Sequence, residues 1–141
     1  MYHKIMVPID LAHIELIEPT LETVADLARH YDAEVCYVGV TSSAPGSVAR
    51  TPEEFTQKLK AFAQKRSDVH GQPVSTHTIV SPDPIADLDN DLIKVIKEVG
   101  ADLVVMPTHP PKNLDVIMPS HGGKVATHTD VSVFLVRPRN H

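Results

Sequence analysis

Asp102-Leu103-Val104-Val105-Met106 runs into Pro107-Thr108-His109-Pro110, then into Pro119-Ser120-His121-Gly122-Gly123, and then into Val131-Ser132-Val133-Phe134-Leu135-Val136. The order is a buried strand, a polar loop, a helix start and a second buried strand, which is the repeating unit of an α/β fold. Working outward, His3 to Ile9 reads as a first strand, with Pro8 near its end where a missing N–H costs least. Ile17, Leu21, Val24 and Ala28 then fall at i, i+4, i+7 and i+11, one apolar stripe of a helix. Pro19 is expected in the first turn or so of that helix.

Glu34 to Val40 is a second strand, almost wholly apolar, as a parallel strand covered on both faces should be. Thr51-Pro52-Glu53-Glu54 starts a second helix, with Thr51 as N-cap, Pro52 at the first helical position and Glu54 placed for a capping box. Phe55, Leu59 and Phe62 give that helix its buried face, and Gly71 and Pro73 mark its exit. Val74 to Val80 alternates, with Ser75 and His77 on one side, and so reads as an outer strand. Asp83-Pro84 caps a third helix carrying Ile85, Leu88, Leu92, Val95 or Ile96, and Val99, stopped by Gly100. A fourth helix from near Ser120 and a strand from Val131 to Val136 follow. The alternation predicts one α/β domain over 1–141: an open, five-stranded parallel sheet with helices on both faces.

Length, at 141 residues, suits a single domain, and 42% hydrophobic with 22% charged residues is the balance of a folded globular chain. A formal net charge of -5, with no basic run, speaks against nucleic acid as a partner. Lys58, Lys60, Lys65 and Arg66 are interleaved with Glu53, Glu54 and Gln64 and read as a solvated helix face. Cys36 is the single cysteine and has no partner for an intramolecular disulfide. No run approaches a membrane span and no cleavage pattern stands near the first residues, so no membrane association and a cytoplasmic location are expected.

In open parallel sheets ligands sit at the carboxyl ends of the strands. The residues to watch are therefore Asp10, Thr41 to Gly46, Ser81, and Pro107 to Gly123. Asp10 can accept hydrogen bonds from a ligand amine or hydroxyl, or hold a metal; it can equally be a turn cap. An Asp-x-Asp phosphotransfer site is excluded by Ala12, and a receiver domain by Ser81 at the end of the third strand. Ser120 can cap the last helix while the N–H groups of His121, Gly122 and Gly123 surround an anion, or the same residues can be a plain helix start. The nine histidines match no zinc signature. His109 and His121 lie in the candidate loops.

Over nearly its whole length the chain resembles the universal stress protein family. The resemblance is carried by Tyr2-His3-Lys4-Ile5-Met6-Val7-Pro8-Ile9-Asp10, Asp32-Ala33-Glu34-Val35, Val38-Gly39-Val40 and Gly100-Ala101-Asp102-Leu103-Val104-Val105-Met106. It implies the Rossmann-like, adenine nucleotide alpha hydrolase-like fold. ATP-binding members carry Gly-x-x-Gly, a spacer and Gly-Ser or Gly-Thr after the fourth strand, where this chain has Pro107-Thr108-His109-Pro110 and Pro119-Ser120. The spacer, with Pro111 after Pro110, looks closer to the branch that has His-x-Pro and an altered glycine motif. By resemblance Pro8, Asp10 and Val40 border adenine and ribose, Met106 and Pro107 the ribose, and Ser120, His121 and Gly122 the phosphates; from their place in the loops His109 is a candidate for phosphate or sugar and Gly123 for phosphate. The ligand implied is ATP or another adenine nucleotide with Mg2+, and the partner implied is a second copy joined through Val131 to Val136.

Three functions compete on these residues. The first is a nucleotide-binding stress-response module. The second is a nucleotide-independent dimeric interaction protein with its pocket altered by Pro107, Pro110, Pro111 and Pro119 and acting on an unidentified protein partner. The third is a slow ATP hydrolase, which lacks a Gly-Lys-Ser/Thr phosphate loop and ranks last.

Overall fold

The computed structural model describes residues 1–46, 48–82, 88–107, 125, 126 and 128–137. Its elements are β1 (Lys4–Ile9), α1 (Ile14–Tyr31), β2 (Glu34–Ser42), α2 (Pro52–His70), β3 (Val74–Ser81), α3 (Leu88–Val99), β4 (Leu103–Pro107) and β5 (Ser132–Val136). Val125, Ala126 and His128 are helical. The five strands form one parallel sheet in the order β3-β2-β1-β4-β5, the α/β architecture expected. The proposed cap at Asp83-Pro84, Ile85 and the helix start near Ser120 lie outside the described residues.

Strand residues alternate between the two faces, and the helices cover both. Ile5, Val7 and Ile9 of β1 pack with Ile17, Leu21, Val24 and Ala28 of α1 and with Phe55, Leu59 and Ala63 of α2. Met6 turns the other way, into a cluster with Cys36, Val38, Val104, Met106, the α3 residues Leu88, Leu92, Val95 and Ile96, and Val125. The α1 stripe read from the sequence is thus the buried one. Thr51 caps α2, its Oγ1 accepting from the Glu54 N–H at 3.1 Å, and Gly71 ends it with φ 72°. β3 is an outer strand, mostly half-buried.

Two expectations are corrected. The last strand, read as buried, is an outer one in which every residue is exposed or half-buried. The chain enters α1 through a 3-10 turn, Leu11–His13, so the helix begins at Ile14 and Pro19 falls in its second turn. The N–H that Pro19 lacks would have bonded the Glu15 carbonyl. Both residues are exposed, so the Glu15 carbonyl is open to solvent in place of that N–H.

β1 and β4 meet over a short seam. Only Ile5–Leu103 and Met6–Val104 are paired, whereas β1 and β2 stay paired up to Ile9–Gly39. Pro8 has no N–H to give a ladder, and it stands where β1 has already parted from β4. Asp102 closes the other end of the seam. Its carboxylate accepts from the His3 N–H at 2.8 Å and the Lys4 N–H at 3.0 Å, and its own N–H donates to the Lys4 carbonyl at 3.0 Å.

Tyr37 of β2 is 3% exposed, and burial pushes its phenol up to about 12, an effect Arg66 opposes and Glu18 reinforces. An unfolded tyrosine ionises near 10. Between those values the unfolded chain holds fewer protons than the native one, so this contribution to stability is complete below pH 10 and is lost as pH rises toward 12. Spectrophotometric titration of the phenols should show one of the three tyrosines ionising well after the others, and Tyr37→Phe should remove that late step.

Candidate functional site

The strand order reverses between β1 and β4, and the carboxyl edge beside β1 is where such sheets bind ligands. β1 ends at Ile9, opposite Gly39. β2 continues, and Val40, Thr41 and Ser42 pair only with β3. The Glu34 N–H donates to the His3 carbonyl at 2.9 Å, and main-chain groups along a strand turn alternately to its two neighbours. Val40 and Ser42 therefore face the side that β1 has vacated, and the Val40 carbonyl is the first of these groups left there without a strand partner among the described residues.

A cavity of about 240 Å³ opens at this place. Ile9 to Ala12 form one wall, Val40 to Ser42 a second, and the loop residues Ala44, Pro45, Gly46, Val48 and Ala49 with Phe55 of α2 the rest. The loop is held in shape by the Ala44 N–H donating to Ser42 Oγ at 3.1 Å and the Gly46 N–H donating to the Ala49 carbonyl at 2.9 Å. Asp10 is the acidic residue of the lining. One carboxylate oxygen accepts from the Ala12 N–H at 3.0 Å, and the other lies 2.8 Å from His13 Nδ1. A carboxylate only accepts, so the facing ring nitrogen carries the proton. Asp10 is thus a turn cap and a cavity residue at once, with its side chain 14% exposed. Each oxygen keeps a free lone pair, and what it can take is a donor: an amine or a hydroxyl.

Of the site residues read from the sequence, the structure brings Asp10 and Val40 together in this cavity, with Thr41, Ser42, Ala44, Pro45 and Gly46. Pro8 is buried within β1 and Pro107 half-buried at the end of β4. Met106 is 0% exposed and packs in the α3-side core, so its side chain is closed to the edge. His109, Ser120, His121, Gly122 and Gly123 lie outside the described residues. His13 and Phe55 complete the arrangement and were not singled out as site residues. The signal for His13 was an Asp-x-x-His spacing in a turn; Phe55 was read only as helix core.

Comparison with known proteins places this architecture. A model described as the universal stress protein family matches residues 1–137. Universal stress protein G of Shigella flexneri is 23% identical, covering 97% of this chain and 100% of its own length. Two solved structures share the fold. A universal stress protein from Archaeoglobus fulgidus in complex with dAMP superposes with a TM-score of 0.63 at 20% identity, covering 95% of this chain and 97% of its own. A universal stress protein in complex with cAMP superposes with a TM-score of 0.69 at 16% identity, covering 98% of each chain.

Phe55 packs directly on the β2 main chain because Gly39 puts no side chain between them. A Cβ on Gly39 would lie 2.6 Å from Phe55 Cε1, 2.8 Å from Cζ and 3.1 Å from Leu59 Cδ2. These side chains are sealed in the core, 5% and 0% exposed, and have little room to withdraw. Gly39→Ala should therefore cost about 1–3 kcal/mol, read from the midpoint of urea unfolding, and should shift the Phe55 ring resonances. An unchanged midpoint would show that α2 can ride away from the sheet.

Proposed function

The chain belongs to the universal stress protein family, and from that membership we propose that it binds an adenine nucleotide in the cavity beside Asp10. The observation that carries the reading is the pairing of two acceptors on two walls of one cavity: the Asp10 carboxylate, fixed by Ala12 and His13, and the Val40 carbonyl, which has no strand partner among the described residues. An adenosine offers the matching donors, an exocyclic amine and ribose hydroxyls. The cavity is closer to the size of a base than of a whole nucleotide, so sugar and phosphates extend along the edge toward Pro107. By family resemblance the phosphates would then reach Ser120, His121 and Gly122; Gly123 and His109 are further candidates by their place in the sequence.

The prolines bear on the number of phosphates. A proline at 119 offers no N–H to an anion, and one charged hydrogen bond is worth roughly 1.5–3 kcal/mol. His109-Pro110-Pro111 supports placing the chain in the His-x-Pro branch of the family, and on this reading AMP or ADP binds at least as well as ATP. The ligands named for the two similar structures, dAMP and cAMP, each carry a single phosphate. Among the described residues no group of three or more His, Cys, Asp or Glu is placed to hold a metal. A nucleotide-bound Mg2+ needs no such cluster, since phosphates and water supply most of its ligands. No helix of the described residues is long and apolar enough to cross a membrane, and we assign the protein to stress adaptation in the cytoplasm.

A second part of the reading is a homodimer through β5. That strand is paired only with β4, and Phe134 and Leu135 on it are 44% and 40% exposed. An apolar outer strand is the kind of edge that pairs with a second copy.

Isothermal titration of the nucleotide-stripped protein with AMP, ADP and ATP in Mg2+ should give micromolar binding. Asp10→Ala should weaken it about 10-fold or more. His13→Leu should weaken it less, about 3-fold, while His13→Asn, which keeps a donor near the Nδ1 position, should restore it. Silence for all three nucleotides at high protein concentration would retire the nucleotide reading and favour the interaction protein. For the dimer, sedimentation equilibrium should give twice the 15.4 kDa chain mass, and Phe134→Lys with Leu135→Glu should give the monomer. A wild-type monomer at all concentrations would overturn it.

A further inference from the structure

A second cavity, about 490 Å³, lies between the start of α1 and the middle of α2, lined by Leu11, Ala12, Ile14, Val48, Lys58 and Phe62. It shares Leu11, Ala12 and Val48 with the cavity at Asp10, but among the described residues no acidic one lines it. Leu11, Ile14, Val48 and Phe62 are all half-buried, apolar surface that core packing has left partly wet. Its volume is in the range of small-molecule sites, which are mostly apolar with a few placed polar groups.

The placed group here is Lys58, the one charged residue of the described lining. Its ammonium donates to the Val48 carbonyl and stands 3.5 Å from Glu54 Oε1. An ammonium has three donors, so one remains. Glu54 is 43% exposed on its side chain and does not line the cavity, so its pairing with Lys58 is a screened surface contact. The Phe62 wall is set in advance. Its ring lies 5.8 Å from that of Tyr37 and 5.6 Å from the Arg66 guanidinium, which is itself paired with Glu18.

We propose that this groove binds a small amphipathic carboxylate, its aliphatic chain against Leu11, Ile14, Val48 and Phe62 and its head group on Lys58. A single cation with one free donor suits a monoanion; a phosphate dianion would call for more donors than the described lining provides. The inference goes beyond the nucleotide reading and does not depend on Asp10.

The test is titration with octanoate in the absence of nucleotide, followed by the methyl resonances of Leu11, Ile14 and Val48, with octanol and acetate alongside. Octanoate should shift these methyls and bind about 3- to 10-fold more tightly than octanol, and acetate should bind far more weakly. Lys58→Met, at a residue whose side chain is 52% exposed, should bring octanoate down to octanol, and Lys58→Arg should keep the difference. Equal binding of octanoate and octanol to the wild type, an advantage that survives in Lys58→Met, or shifts confined to other methyls would overturn the proposal.

Discussion

The seam between β1 and β4 is the contact on which the rest of the molecule depends. β1 is the centre of the sheet, and both helical layers pack on it, Ile5, Val7 and Ile9 toward α1 and α2 and Met6 toward α3. Yet its link to β4, and through β4 to β5, is limited to Ile5–Leu103 and Met6–Val104. Asp102 supplements that link with a carboxylate bonded to two successive N–H groups of the opposite strand. A hydrogen bond to a charged group contributes roughly 1.5–3 kcal/mol, less where water reaches it. Here the bonds also set register, because they fix His3 and Lys4 just ahead of the paired residues. A slip by one residue would turn Met6 and Val7 to each other's faces.

The same seam leaves the carboxyl edge open. Once β1 has passed Met6 it is paired only with β2, and once it has passed Ile9 it leaves the sheet in a 3-10 turn. Asp10 makes that departure possible by accepting the Ala12 N–H, and the departure is what leaves the Val40 carbonyl facing a cavity instead of a strand. Capping and ligand recognition are therefore not alternatives for this carboxylate. The turn that Asp10 stabilises is the turn that aims its remaining lone pairs.

Periodic features were legible before any coordinates. The α1 stripe, the Thr51 cap, the outer character of β3 and the parallel alternation all rest on spacing within one segment, and spacing within a segment is what a sequence displays. The start of α1 was not legible, because a 3-10 turn and an α-helix place Leu11 and Ile14 on similar faces, and Pro19 pulled the expected start toward itself. Asp102 read as the lead into a strand; that it binds the main chain of His3 and Lys4 is a contact across the sheet that no local pattern announces. Asp10 was legible as an edge residue, and Val40 only through the family resemblance. The groove at Lys58 was not, since the 3-10 turn, the loop at Val48 and the α2 face meet only in the fold, and on its own Lys58 read as one solvated helix charge among several.

The two cavities share Leu11, Ala12 and Val48, and this shared wall limits how independent their contents can be. Val48 sits on a loop that closes on itself through Gly46 and Ala49 and is tied to α2 by Lys58. A head group on the free donor of Lys58 pulls on the same ammonium that holds the Val48 carbonyl, and a base beside Asp10 presses on the other side of the same residue. Any displacement of Val48 by one occupant alters the space left to the other. The resulting coupling must be reciprocal, each ligand changing the affinity for the other by one common factor. The shared side chains, and not the distance between Asp10 and Lys58, decide whether that factor differs from one.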